Sequence, residues 1–443
     1  MKFHVLFLSA VLFLAPISLR GALNLGIDGE DATSVGIYIK DLTTGNIIAE
    51  KNASMAQTPA SVMKAVTTAT VLSICGADTV FTTSVGLTGN VGGGVCSGNL
   101  LIRACADPTI ESDYFKANKG FCDSIVVSLK RLGVKRIDGS VVVSQMLRDA
   151  GPNLQWECED IAWPYGAGLF GFNYRDNIVM VTPATGEVMP KAPGLEVCVE
   201  KSSENDIVRG IDSNRLMVYT KDPNDRKWKI NVTVPDPSAV FVEQMKDAMK
   251  NAGIEIGGRS LPSGNDFRLV YTHKSPRFGD IMRSLMVRSD NMFAEGMLRS
   301  IAPDSSRKTA IQREKALWNK RGLKTENTTI KDGSGLARSN RISPEFLGGI
   351  LEWMAKSPLV DSYVSYFPRA GKDGTMRGFL AKSPLKGKIA LKTGSVGGVQ
   401  CYAGYKLDAK GQPTHVIVIM VNGFFCPRSD VREASEQLLT DLF

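Results

Sequence analysis

Ser61-Val62-Met63-Lys64 places a hydroxyl and a primary amine three residues apart. On a helix that spacing is about 60° around the axis, so the two groups share a face and can touch. Thr58 suits an N-cap and Pro59 a first helical residue, and the Ala-, Val- and Leu-rich run to Ile74 continues the helix. Ser61 then falls at the third helical position, where the backbone N–H lacks an intrahelical acceptor and the helix dipole is positive. An oxyanion formed when Ser61 attacks a carbonyl has a donor there. A serine hydroxyl is a weak nucleophile and needs a base. Histidine is scarce, only His273 and His415 following the first 22 residues, so Lys64 is the base to consider. It must be neutral, and moving a lysine from a reference pKa near 10.4 to about 7 costs roughly 4 to 5 kcal/mol of charged-state destabilisation. Burial or a second cation can supply that. The spacing alone decides little. Ser305-Ser306-Arg307-Lys308 in a polar stretch and Ser383-Pro384-Leu385-Lys386 in a turn repeat it.

Two further triplets give it weight: Ser289-Asp290-Asn291 before a helical pattern, and Lys392-Thr393-Gly394 on a strand expected to end at Gly394. In this order and on these elements the set resembles the penicillin-recognising serine acyl enzymes, the penicillin-binding proteins and serine β-lactamases. In such an arrangement Lys392 is the second cation, worth about 4 kcal/mol against charging Lys64 at about 4 Å and an effective dielectric of about 20. Lys392 would also hold a substrate carboxylate. Thr393 adds a hydroxyl, Gly394 lets a substrate peptide lie along the strand edge, and the N–H of Ser395 is the second oxyanion donor. Ser289 can relay a proton to the leaving amine, Asn291 can orient a substrate amide or Lys64, and Asp290 caps or braces the loop.

The elements that must position these groups lie at both ends of the chain. Residues 34–39 and 46–50 read as a hairpin, residues 388–393, 400–407 and 415–421 as successive strands, and a last helix runs from Arg428 to the end. This implies an α+β fold: one sheet closed by the two chain ends, with helices on its faces. Residues 79–272 are far too long for a loop and form an inserted, β-rich domain, with a smaller module nested at about 183–234. The catalytic domain is then residues 23–78 and 273–443.

Composition narrows the class. The chain has 443 residues, 43% hydrophobic and 22% charged, enough for two or three packed domains. A formal charge of +8 without clustered Lys and Arg among aromatics argues against nucleic acid. Residues 1–22 read as a secretory signal: Lys2, an apolar run over 5–18, then small residues as cleavage points. That run is short for a membrane span. Export makes disulfides possible among the eight cysteines, whose pairing the spacing leaves open, and no C-x-x-C supports a metal site. No cofactor is expected.

Within the superfamily the chain is similar to the class C, type-4 low-molecular-mass penicillin-binding proteins, which are D-alanyl-D-alanine carboxypeptidases. The likeness rests on the insertion, on Asp332-Gly333-Ser334-Gly335-Leu336 with Asn340 and Ser343-Pro344, and on Asp107-Pro108-Thr109 and Trp163-Pro164-Tyr165-Gly166-Ala167. It implies a helix-sheet-helix transpeptidase-like domain with one or two inserted domains, a periplasmic location, and peptidoglycan peptides and β-lactams as partners. Asp332 and Ser334 are expected to be structural. Arg103-Ala104-Cys105-Ala106 departs from the glycines such relatives carry before Asp-Pro-Thr. Three other readings exist. A serine β-lactamase shares the first and third motifs, but no acidic deacylating base can be assigned. A catalytically silent wall-binding or sensor module would keep the fold. A Ser-His-Asp hydrolase built on Ser334 lacks a complete Gly-x-Ser-x-Gly elbow, since position 332 is Asp.

Overall fold

The computed structural model describes residues 19, 20, 23–262, 266–303 and 305–443. Most of the expected signal segment 1–22 lies outside the described residues; Leu19–Arg20 pairs in parallel with Ala49 and Glu50. A six-stranded sheet is assembled from both chain ends. Ser34–Asp41 pairs with Ile47–Lys51 on one side and with Pro413–Asn422 on the other, after which Val399–Leu407 and Ile389–Val396 follow outward. In Pro413–Asn422 the run 416–421 is apolar without alternation because both faces are covered. Val416, Val418 and Met420 join a core shared with the helices Met63–Ile74, Phe278–Arg288, Asn291–Ser300 and Pro344–Ala355. Ile417, Ile419 and Val421 face the C-terminal helix Arg428–Leu442 through Val431 and Leu439. Each such side chain stabilises the fold by roughly 1.5 to 3 kcal/mol, so the sheet centre is a rigid platform. The architecture is α+β, a sheet between helical layers.

Ile389–Val396 is the outer strand of this sheet. It does not end at Gly394: Gly394 and Ser395 pair with Cys401 and Gln400, and the chain turns at Gly397-Gly398. The expectation gave the turn to residues 394–398, but the ladder runs on to the Val396–Val399 pair and leaves only Gly397 and Gly398, the latter at φ 67°, to turn the chain.

The intervening chain has its own core, running from Val85 to Ile254. Thr82–Leu87, Leu100–Arg103, Val141–Ser144 and Arg268–Lys274 form one sheet, in which the first and last strands pair antiparallel and so bring the two ends of the stretch together. His273 lies in this last strand; it is buried, bonded to Asn118, and burial lowers its pKa to about 4. Glu196–Lys201, Asp206–Arg209 and Arg215–Thr220 make a separate small sheet, and Ile230–Thr233 returns to pair with Ile178–Thr182. Ala106 sits at φ 61°, a value that glycine adopts freely. All eight cysteines are free thiols. Among the described residues no helix is long and apolar enough to cross a membrane.

Candidate active site

Ser61 does not lie in the first turn of a regular α-helix. Ala60–Val62 is a 3-10 turn entered from Pro59, and the α-helix proper is Met63–Ile74. Thr58 cannot cap it, because its hydroxyl accepts from Arg341 (2.7 Å) while its N–H and C=O bond the Asn422 side chain at 2.9 and 3.2 Å. Ala60 is left with φ 46°, a strained value that the surrounding structure imposes. The helix behind it is buried at every position from Met63 to Leu72 and is pinned by Tyr363 Oη to Ala65 O and by Thr67 Oγ1 to Gly333 O, both 2.8 Å.

Lys64 is fully buried, and its Nζ contacts three oxygens: Ser61 Oγ at 2.9 Å, Asn291 Oδ1 at 2.6 Å and Ser334 O at 2.6 Å. Burial pushes its amine down to about 8, against the opposing pull of Asp332, Asp290 and Glu295. The chief cause is therefore desolvation, where a neighbouring cation had been expected to share the task. Lys392 is also fully buried; desolvation, then Lys64, lowers its pKa. Two ammonium groups in one dry site each disfavour charging of the other.

Ser289 ends the helix Phe278–Arg288 in the left-handed region, φ 64°, and Asp290 caps the next helix by accepting from Phe293 N at 2.8 Å. This kink aims Ser289 Oγ at Lys392 Nζ, 2.9 Å away, and Asn291 at Lys64. The Asn291 amide is fixed from behind, its Nδ2 donating to Tyr165 O at 2.8 Å. Lys392 also donates to Thr393 O (2.6 Å) and does not line the cleft, so it is not placed to grip a carboxylate directly. That wall is formed by Thr393, whose hydroxyl donates to Thr375 Oγ1 at 2.9 Å, together with Ser395 and Arg428.

Gly394 faces the nucleophile turn and not the substrate edge. A Cβ there would lie 2.7 Å from Pro59 O and 2.9 Å from the nitrogens of both Ser61 and Val62. On the open side of the strand Leu391 N donates to Pro368 O. The two-residue alternation puts the N–H groups of Thr393 and Ser395 on that same edge.

Two open cavities of about 530 and 500 Å³ meet at Ser61. Beyond the expected residues their walls carry Thr375, Arg428 and Arg432 on one side, and Asp160, Tyr165 and Arg338 on the other. Sequence reasoning missed these, apart from the Trp163-to-Ala167 segment that holds Tyr165. They come from separate elements with no motif of their own.

Asp332 braces the loop behind Lys64: its carboxylate accepts from Gly335 N, Ala337 N, Asn340 Nδ2 and Trp156 Nε1 at 2.7 to 2.9 Å. Glu295 Oε1 accepts from the N–H groups of Gly333 and Ser334 at 2.9 and 3.0 Å. Ser334 is buried and contributes its carbonyl, while neither His273 nor His415 bonds to it. A Ser-His-Asp arrangement on Ser334 is thereby absent.

Fold and site together are those of the β-lactamase and transpeptidase class of serine acyl enzymes. Within that class the chain belongs to the D-Ala-D-Ala carboxypeptidase 3 (S13) peptidase family, whose model matches residues 26–440. It is a serine-type carboxypeptidase of the penicillin-binding protein type. The D-alanyl-D-alanine carboxypeptidase DacB of Haemophilus influenzae is 27% identical over 425 residues, covering 89% of this chain and 86% of that one. A D-alanyl-D-alanine carboxypeptidase of an Actinomadura species is 23% identical over 421 residues, 86% of this chain and 77% of that one. In fold, the crystal structure of penicillin-binding protein 4 from Haemophilus influenzae matches with a TM-score of 0.81 at 24% identity, over 93% of this chain and 97% of that one.

Proposed function

We propose that Ser61 is the nucleophile and Lys64 the base of a D-Ala-D-Ala carboxypeptidase that works through an acyl-enzyme and is acylated by β-lactams. The observation that carries this reading is the triple contact of Lys64. Asn291 Oδ1 and Ser334 O can only accept, so they occupy both N–H bonds of a neutral amine and turn its lone pair toward Ser61 Oγ. Ser61 gives its proton to Lys64 and attacks the carbonyl between two D-alanines. The N–H groups of Ser61 and Ser395 receive the oxyanion. Ser289, held by Lys392, relays that proton from Lys64 to the leaving amine, which leaves Lys64 neutral again, and water then hydrolyses the ester with Lys64 as base. The substrate carboxylate is held by Thr393 and Arg428, with the charge of Lys392 behind them. Gly394 serves the site by letting the strand close on the nucleophile turn. A crosslink whose scissile bond is followed by a D-centre carboxylate fits the same cleft.

The substrate is peptidoglycan, and the enzyme acts in the periplasm after export directed by residues 1–22. Residues 23–78 and 273–443 are the catalytic domain and 79–272 the insertion, with 183–234 nested in it; the insertion's own core supports this division, although its closing strand runs on to Lys274. The test compares D-alanine release from a pentapeptide ending in D-Ala-D-Ala with turnover of a chromogenic β-lactam. Peptide hydrolysis with a long-lived penicilloyl adduct is expected. Fast β-lactam turnover without peptide hydrolysis would make the protein a β-lactamase.

A further inference from the structure

Away from Ser61 a groove of about 550 Å³ opens where three parts of the chain meet: residues 149–155, residues 209–214, and Arg307 at the start of the helix Arg307–Lys320. Its lining includes the apolar side chains of Phe170, Ile211 and Leu154, the last 76% exposed. Polar groups share that lining. Arg209 is only 2% exposed; it donates to Thr233 Oγ1 at 2.8 Å and Ser213 O at 3.2 Å, and its Nε has no partner. A buried guanidinium N–H left without an acceptor is costly, and here it belongs to a side chain of the groove lining. Arg307 donates through Nε to Glu295 Oε2 at 3.3 Å. The two guanidinium groups are balanced by the carboxylates of Asp149 and Asp212 in the same lining.

A wall with donors and acceptors of both signs and no net charge gives a polyanion no net attraction and offers little to a purely apolar guest. It fits a neutral, polyhydroxylated ring that stacks its C–H face on Leu154 and Phe170 and bonds at its rim. We propose that this groove is a subsite for the glycan strand of the wall polymer, taking N-acetylated amino sugars. The identity of that polymer rests on the acyl-enzyme reading given above. The groove is built onto the catalytic brace. Arg307 holds Glu295, which holds the Ser334 loop, and Asn153 beside Leu154 donates through Nδ2 to Lys331 O at 2.9 Å. A glycan seated there would keep its attached peptide near the cleft and raise the peptide's local concentration at Ser61.

The experiment uses the full chain, the N-acetylglucosamine tetramer as probe, and Leu154→Asp, a substitution at an exposed position that spares the core. By calorimetry the wild type should bind the tetramer and the variant should bind it roughly fivefold or more weakly. The kcat/KM for a glycan-linked pentapeptide should fall by a similar factor in the variant, while that for the free pentapeptide stays unchanged. Failure of the wild type to bind the tetramer overturns the proposal, as does an equal loss on both peptide substrates, or displacement of the tetramer by the free pentapeptide. Tetramer binding does not involve Ser61, so a failed acyl-enzyme reading would show as unchanged penicillin labelling of Ser61→Ala and leave this titration intact.

Discussion

Lys64 combines two properties that usually conflict: it is fully buried, and its amine still has an assigned partner in every direction. Burial lowers its pKa to about 8, so near neutrality a minor but useful fraction is the free base. The acylation rate with a fluorescent penicillin should therefore rise about tenfold per pH unit up to about pH 7, more gently from there, and level off above about pH 8. A flat profile would remove Lys64 as the titrating base. Lys64→Ala should retain substrate binding and lose acylation by at least about a hundredfold, read as kcat against KM. At this scale much was legible. The pairing of Ser61 with Lys64 followed from helical spacing, and Ser289, Asn291 and Lys392 from short motifs. The Ser334 carbonyl was not, since any residue carries one and only the fold decides which of them faces an amine.

The elements matter because the nucleophile turn is clamped between two others. Gly335, at φ 81°, passes so near that a Cβ would lie 1.8 Å from Ala60 O, and Gly394 presses on the opposite side. Gly394→Ala must push the turn off the strand. The expected result is a loss of about a hundredfold in acylation from misplacement of Ser61, with about 1 to 3 kcal/mol of stability lost to overpacking. Penicillin kinetics and chemical denaturation measure the two effects separately. A variant with wild-type kinetics would show that the contact is incidental. The strands and the terminal helix could be read from apolar periodicity within a few residues. The exact start of the nucleophile helix could not, because Arg341 and Asn422, far away in sequence, take the Thr58 groups that would have capped it. Gly394 was expected to free the substrate edge, whereas its bare face meets the nucleophile turn, because which face it offers depends on strand register.

Across the whole molecule, the acid cluster behind the site sets stability against pH. Glu314 is fully buried on the helix Arg307–Lys320, where the Thr70 side chain only partly offsets the loss of solvation. Burial first, then Glu295 and Asp332, raise its pKa to about 7. The folded state thus holds this proton between about 4.5 and 7, where the unfolded chain has released it, so stability falls as pH rises through that window and the loss is complete above it. Glu314→Gln should stabilise the protein above pH 7, by up to about 3 kcal/mol, and change little below pH 4.5, as thermal unfolding would reveal. Equal effects at both extremes would contradict the buried-proton account. The α+β plan was visible in the order of strand-like and helix-like runs. The groove beside Arg307 was not, because three segments far apart in sequence build it. The central claim concerns one oxygen atom. Peptide mapping by mass spectrometry after benzylpenicillin treatment should locate the adduct on Ser61 and find none in Ser61→Ala, whereas an adduct on another residue, or undiminished labelling of that variant, would contradict it.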